Sequence, residues 1–144
     1  MIRRMMTTVS LFQPLLNDIA ILLLRVTFGG LLLVHGWGKV TDFNKLTQPG
    51  PEAFADPLGI GITMSLVGAI IGEVVGSALV MLGCCTRVGA LLMAFTMGVA
   101  AFIVHGSHPL AKKEMALLYL AATLAVALFG GGRFSVDRLI WKKS

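Results

Sequence analysis

Residues 62–82 read ITMSLVGAIIGEVVGSALVML, an apolar run broken by one charged residue, Glu73. About 20 residues of helix cross a bilayer. Lipid offers no water to main-chain N–H and C=O groups, so a run that crosses it has to be helical. Residues 19–37, 88–105 and 115–131 repeat the pattern. None of the four alternates with the period of two that a barrel strand would show. The expected architecture is therefore all-α: an integral membrane four-helix bundle forming a single domain over residues 1–144, with a long outer loop between the first and second spans.

Composition points the same way. Hydrophobic residues make up 56% of the 144 and charged residues only 13%, against about 25% charged in a typical soluble domain. A chain this short cannot hide so much apolar surface in its own core, so the lipid bilayer is the expected partner. The formal net charge of +5 sits in connections and tails, where it suits an anionic lipid surface. No basic stripe is interleaved with stacking aromatics, which argues against nucleic acid.

Cys84 and Cys85 are adjacent. They make neither a CxxC motif nor a metal-type spacing, and a bridge between neighbours is strained. They read as two inert thiols or, less simply, as a redox pair. Arg3 and Arg4 resemble the start of a signal peptide, but Thr7, Thr8, Ser10, Gln13 and Pro14 interrupt the stretch after them. No small-residue cleavage site closes the first apolar run, which is expected to stay as a span.

The connections are unequal. Residues 83–87 form a tight turn and 106–114 a short polar one, whereas 38–61 is long and carries Pro49, Pro51 and Pro57. Pro51 followed by Glu52 is placed to start a short helix through Phe54. The long loop reads either as a lid or as a slack linker. On one side of the membrane lie Arg3, Arg4, Arg87, Arg133, Arg138, Lys142 and Lys143; on the other lie Lys39, Lys45, Lys112 and Lys113. This asymmetry predicts cytoplasmic termini, with the long loop outside and the cysteine turn inside.

Two charges interrupt the spans. Each costs about 2.5–3.5 kcal/mol on insertion scales, so each requires a partner or a purpose. Counted from the apparent span ends, Arg25 lies ~9 Å and Glu73 ~15 Å from the inner surface. At those depths they can meet as an intramembrane ion pair or share a proton site. The plainer alternatives are an arginine that snorkels to the headgroups and a carboxyl kept protonated by burial. The stripe Gly68-x-x-x-Gly72-x-x-x-Gly76 reads as a helix-packing face. Near the outer ends, His35 and Lys39 share a helix face four residues apart. His105, His108 and Glu114 come to the same level, with Tyr119 about one turn deeper. Such a set suits a metal, a quinone headgroup or simply the membrane interface; no tight metal-ligand motif sharpens it.

The order of these residues resembles the DoxX family of small bacterial membrane proteins. The likeness rests on Arg25-Val26-Thr27-Phe28-Gly29, His35-Gly36-Trp37-Gly38-Lys39, Glu73, Leu82-Gly83, Thr86-Arg87, Met97, His105, Glu114 and Tyr119. It closes with Gly130-Gly131-Gly132-Arg133-Phe134-Ser135-Val136-Asp137, and so spans nearly the whole chain. Gly131 stands where the family commonly has proline, and Phe134 where it has tyrosine. The resemblance implies a four-helix protein of the bacterial inner membrane and an association with quinone-linked or thiol and oxidative-stress redox systems.

The functional expectation is an accessory subunit that supports electron transfer to quinone. His35, Lys39, His105, Glu114 and Tyr119 are the candidate quinone ligands, and Arg25 and Glu73 the intramembrane pair. The sequence carries no haem, flavin, iron–sulfur or metal signature, so a bound quinone is the cofactor expected, and the electron carrier would belong to a redox partner protein. Self-association is a further expectation. The alternatives are a non-enzymatic scaffold or assembly factor, in which the charges are structural, and a small proton-coupled transporter built on Glu73, which would need a dimer.

Overall fold

The computed structural model describes residues 2–141, with side chains from residue 12 to residue 140. Arg3, Arg4, Lys142 and Lys143, which enter the orientation count, therefore have side chains outside the described residues. Among the described residues the chain is all-α. Helix α1 runs Ile2–Thr41 and α2 Phe43–Thr47. Helix α3 spans Ile62–Leu82, α4 Thr86–Val104 and α5 Leu110–Phe129. A short α6, Val136–Trp141, comes last.

Three stretches are long and apolar enough to cross a membrane: Phe12–Thr41, Ile62–Leu82 and Thr86–Val104. Outward-facing side chains such as Leu23, Val34, Leu91 and Phe102 are more than half exposed. Apolar patches of this extent are not left in water, and these face lipid. Helix α5 is long too, but Lys112, Lys113 and Glu114 occupy its first turns.

The first helix departs most from expectation. Hydropathy places it over 19–37, yet its backbone is helical from Ile2 and passes through Pro14, which gives up one main-chain hydrogen bond. In the long loop, Pro51 and Glu52 form a turn, and the short helix is α2 instead. The other helices lie within a few residues of their predicted bounds.

Helix α4 packs along both α3 and α5, and α1 lies against α3. The glycine stripe divides its work. A Cβ on Gly76 would come within 3.0 Å of the Gly89 carbonyl, and one on Gly72 would strike Thr96, so these two set the close approach of α3 to α4. Gly68 has nothing within 4 Å; there the helices have separated.

Helix α1 meets α3 at Gly36, where a Cβ would lie 2.7 Å from the Glu73 Cβ and 2.8 Å from the Val74 Cγ2. Gly36→Ala is expected to lower stability in detergent by about 1–3 kcal/mol, because both neighbours are packed. Gly98→Ala, where nothing lies within 4 Å, is expected to be neutral or to stabilise by up to ~1 kcal/mol. Thermal unfolding of the two variants checks the contact. Equal losses would show that α1 and α3 do not meet at Gly36.

Candidate functional site

Lys39 and Glu73 form a salt bridge at the heart of the described structure, with side chains 18% and 4% exposed. Its geometry follows from helix directions. Side chains on a helix lean toward its N-terminus, so Lys39 reaches back over the turn that holds Gly36. The missing side chain at Gly36 leaves the space that Glu73 fills from α3.

The pair lies in the wall of a cavity of about 560 Å³. Leu32, His35 and Lys39 contribute from α1; Met64, Gly68, Ala69 and Glu73 from α3; Phe95, Thr96 and Ala100 from α4; Ala116 and Tyr119 from α5. His105 closes the end of α4. Phe54, Pro57, Leu58 and Ile60 of the long loop line the remaining side. The lining is mostly apolar, with a few polar groups converging, the usual make-up of a small-molecule site.

The loop is tied down at that wall. The Asp56 carboxylate accepts hydrogen bonds from Ile60 N at 3.1 Å, Gly61 N at 2.8 Å and Ser65 Oγ at 2.7 Å. The Ser65 hydroxyl, helped by the main-chain donors, outweighs desolvation and holds Asp56 below the ordinary carboxylate range. Phe54 N donates to Leu46 O at 2.9 Å, and the Phe54 ring lies 5.9 Å from Lys39 Nζ, close enough for a cation–π contact. Tyr119 packs edge-on against Phe28, ring centroids 5.6 Å apart.

Two segments of π-helix border the cavity. Ile71–Val75 carries Glu73, and Ala100–Val104 ends α4 immediately before His105. The His105 N–H donates five residues back to Ala100 O at 2.9 Å. Insertions of this kind recur at functional sites because they turn a side chain off its regular face. Nothing in the residue pattern announces them.

Of the residues singled out in the sequence, His35, Lys39, His105 and Tyr119 line the cavity, and Glu73 joins them. Glu114 does not: it is absent from the cavity wall, near the start of α5. His108 is exposed, its Nδ1 3.4 Å from that of His105.

The expected Arg25–Glu73 pair is not formed. The Arg25 guanidinium is 1% exposed and donates to four main-chain carbonyls. Nε reaches Val80 O at 2.8 Å, Nη2 reaches Met81 O at 3.0 Å, and Nη1 reaches Phe134 O at 3.2 Å as well as Gly131 O. Val80 lies seven residues beyond Glu73, roughly 10 Å along α3, so Arg25 serves the C-terminal end of that helix while Glu73 sits at its middle. Counting depth from the edges of the hydropathy runs misplaces them: Arg25 lies level with the last turn of α3 rather than a turn or two inside it.

At the Arg25 end the chain turns tightly. Gly83, at φ 70°, closes α3 with Gly83 N donating to Val80 O and Cys84 N to Leu79 O, the Schellman pattern. A Cβ at Gly83 would collide with the Arg25 guanidinium. The segment after α5 is held by Asp18, whose Oδ1 accepts from Arg133 N at 2.9 Å.

With this arrangement in view, the chain is one of a class of small, all-α membrane proteins carrying a polar pocket among apolar helices. It belongs to the DoxX family, whose family model matches residues 20–106. A protein of Haemophilus influenzae named "Uncharacterized protein" is 32% identical over 83% of this chain and 90% of its own length. "Inner membrane protein YqjF" of Escherichia coli is 29% identical over 89% and 97%. "Putative oxidoreductase CatD" of Bacillus subtilis is 31% identical over 87% and 90%. No solved structure matches the chain.

Proposed function

We propose that this protein binds a quinone-class molecule in the cavity around Lys39 and Glu73, as an accessory subunit of a redox system in the bacterial inner membrane. The observation that carries the reading is the cavity itself. Its volume of about 560 Å³ is within the ~300–1,000 Å³ typical of small-molecule sites. Its walls suit a ring with an isoprenoid tail, and its polar groups suit a carbonyl headgroup. Lys39 is a donor only, the Tyr119 hydroxyl can donate, and His35 and His105 can donate or accept. The name of the Bacillus subtilis relative agrees with redox work, and that of the Escherichia coli relative with the inner membrane.

In this reading the chain is one domain in which α5 is the fourth membrane-crossing helix, its Lys112, Lys113 and Glu114 at the interface. Arg87, Arg133 and Arg138 then sit with the cytoplasmic termini, and the long loop roofs the cavity on the outer side. Electrons would pass through a partner's redox centre, since the sequence carries no binding signature for one. Glu114 has no part in the site.

The test is an equilibrium titration of the purified protein in detergent with a short-chain ubiquinone. Saturable one-to-one binding is expected. His105→Ala and Tyr119→Phe should each weaken it ~2–10-fold, the worth of one hydrogen bond, and Glu114→Ala should leave it unchanged. Absence of saturable binding would remove the quinone reading and leave the scaffold, with Arg25 and the Lys39–Glu73 pair as structural locks.

A further inference from the structure

The end of the molecule opposite the cavity carries a second cluster that the quinone reading does not use. The Sγ atoms of Cys84 and Cys85 and a carboxylate oxygen of Asp137 lie within 4.8 Å of one another. Cys85 is exposed and Cys84 half-buried, and both are free thiols. We infer that these three side chains form a binding site for a soft divalent cation of the Zn²⁺ and Cd²⁺ class.

The turn that carries them is held in place before any ion arrives. Asp137 N donates to Gly83 O at 2.8 Å, docking the start of α6 on the turn between α3 and α4. In return the Asp137 carboxylate accepts from Cys85 N at 2.6 Å, Thr86 N at 2.9 Å and Thr86 Oγ1 at 2.7 Å. A carboxylate has about four lone-pair positions; three are taken, and one remains for an ion. Cys85 sits in the left-handed region at φ 48°, the one described non-glycine residue with positive φ. That conformation is costly for a side-chain-bearing residue. Here the hydrogen bonds to Asp137 fix it, and it brings both sulfurs toward the same carboxylate.

Ligand type selects the ion. Two thiols with one carboxylate favour zinc-like metals over magnesium or calcium, which take oxygen ligands. Three protein ligands with one exposed side leave a fourth position for water or an exchanging ligand. Binding breaks two S–H bonds, forms two S–metal bonds and sends two protons to solvent. Sequence spacing hides the site, because Asp137 lies 52 residues beyond Cys85.

The experiment is a titration of the purified, reduced full-length protein in detergent with Cd²⁺ alone, read by the ultraviolet sulfur-to-cadmium charge-transfer band and by proton release. One Cd²⁺ per chain with two protons released is expected, unaffected by excess Mg²⁺. Cys84→Ser and Cys85→Ser should each weaken binding at least ~10-fold and diminish the band. Thr86→Val removes one donor to the carboxylate without touching a ligand, and should cost ~10–100-fold, as loss of an outer partner does. A stoichiometry of one ion for two chains, or an unchanged affinity in either cysteine variant, would overturn the proposal. So would a Cd²⁺ affinity in Asp137→Asn equal to that of the parent. The His105→Ala and Tyr119→Phe variants lie at the other end of the helices and should keep full Cd²⁺ binding, so this site and the quinone site fail or stand separately.

Discussion

Arg25→Ala is expected to destabilise the protein in detergent by about 3–5 kcal/mol, since several buried acceptors lose their donor at about 1–3 kcal/mol each. The magnitude reflects the contacts of the guanidinium. It serves the carbonyls of Val80 and Met81 in the last turn of α3, and those of Gly131 and Phe134 beyond α5. The final carbonyls of a helix have no partner within it and carry the negative end of its dipole. Truncation takes the guanidinium donor from the carbonyls of Met81, Gly131 and Phe134, leaves Val80 O with Gly83 N alone, and removes a side chain that joins α1, α3 and the segment before α6. Arg25→Met, which fills much of the same volume, should fail nearly as badly, because the acceptors remain. Arg25→Lys should recover less than half of the loss, since one ammonium cannot span acceptors spread around a planar fork. Chemical denaturation of the three variants, or thermal unfolding where denaturant disrupts the micelle, decides it. A loss below ~1 kcal/mol in Arg25→Ala would mean that the carbonyls find water and that the arginine is dispensable.

The two ends of the molecule differ in how legible they are in the sequence. The run 62–82 is readable as a helix because lipid forbids any other backbone. Its glycine stripe is readable as a packing face, since small residues four apart have few other uses. His35, Lys39 and His105 are readable as one cluster because they lie where apolar runs end, with Tyr119 about one turn deeper, and all four line the cavity. Glu73 is the residue whose partner the sequence misassigns. Hydropathy marks where apolar residues start, not which residues of two helices are level, and Arg25 lies beside the last turn of α3. Depths counted from Ile19 therefore put Arg25 and Glu73 within reach of each other. The signal that finds the right partner is Gly36. A glycine three residues before Lys39, on the same helix face, leaves a hole that a carboxylate from the next helix can enter. Glu114 joins the cluster by level alone; level says nothing about which way a residue faces on its helix. The π-helical segments at Glu73 and before His105 leave no trace in residue type, because they arise from packing of whole helices.

The Lys39–Glu73 pair yields the second large effect, and its asymmetry makes it diagnostic. Glu73 is 4% exposed and Lys39 18%. In Lys39→Met the carboxylate is left buried without its partner, and a loss of about 3–5 kcal/mol is expected. In Glu73→Gln the lysine keeps a long flexible stem one turn from the helix end and can carry its ammonium to water, so the loss should be smaller, about 1–2 kcal/mol, mainly of packing and hydrogen bonding. The double variant Lys39→Met with Glu73→Gln removes the unpaired charge altogether. It should be more stable than Lys39→Met alone, giving a coupling energy of about 1–3 kcal/mol in a double-mutant cycle. Ubiquinone binding separates structure from function in the same three proteins. If the pair only fixes α1 against α3, the double variant regains binding along with its stability. If Lys39 touches the headgroup, the double variant regains stability and stays deficient in binding, while Glu73→Gln, which keeps the ammonium, retains most of it. Additive losses in the cycle would mean that the two charges do not interact in the folded protein.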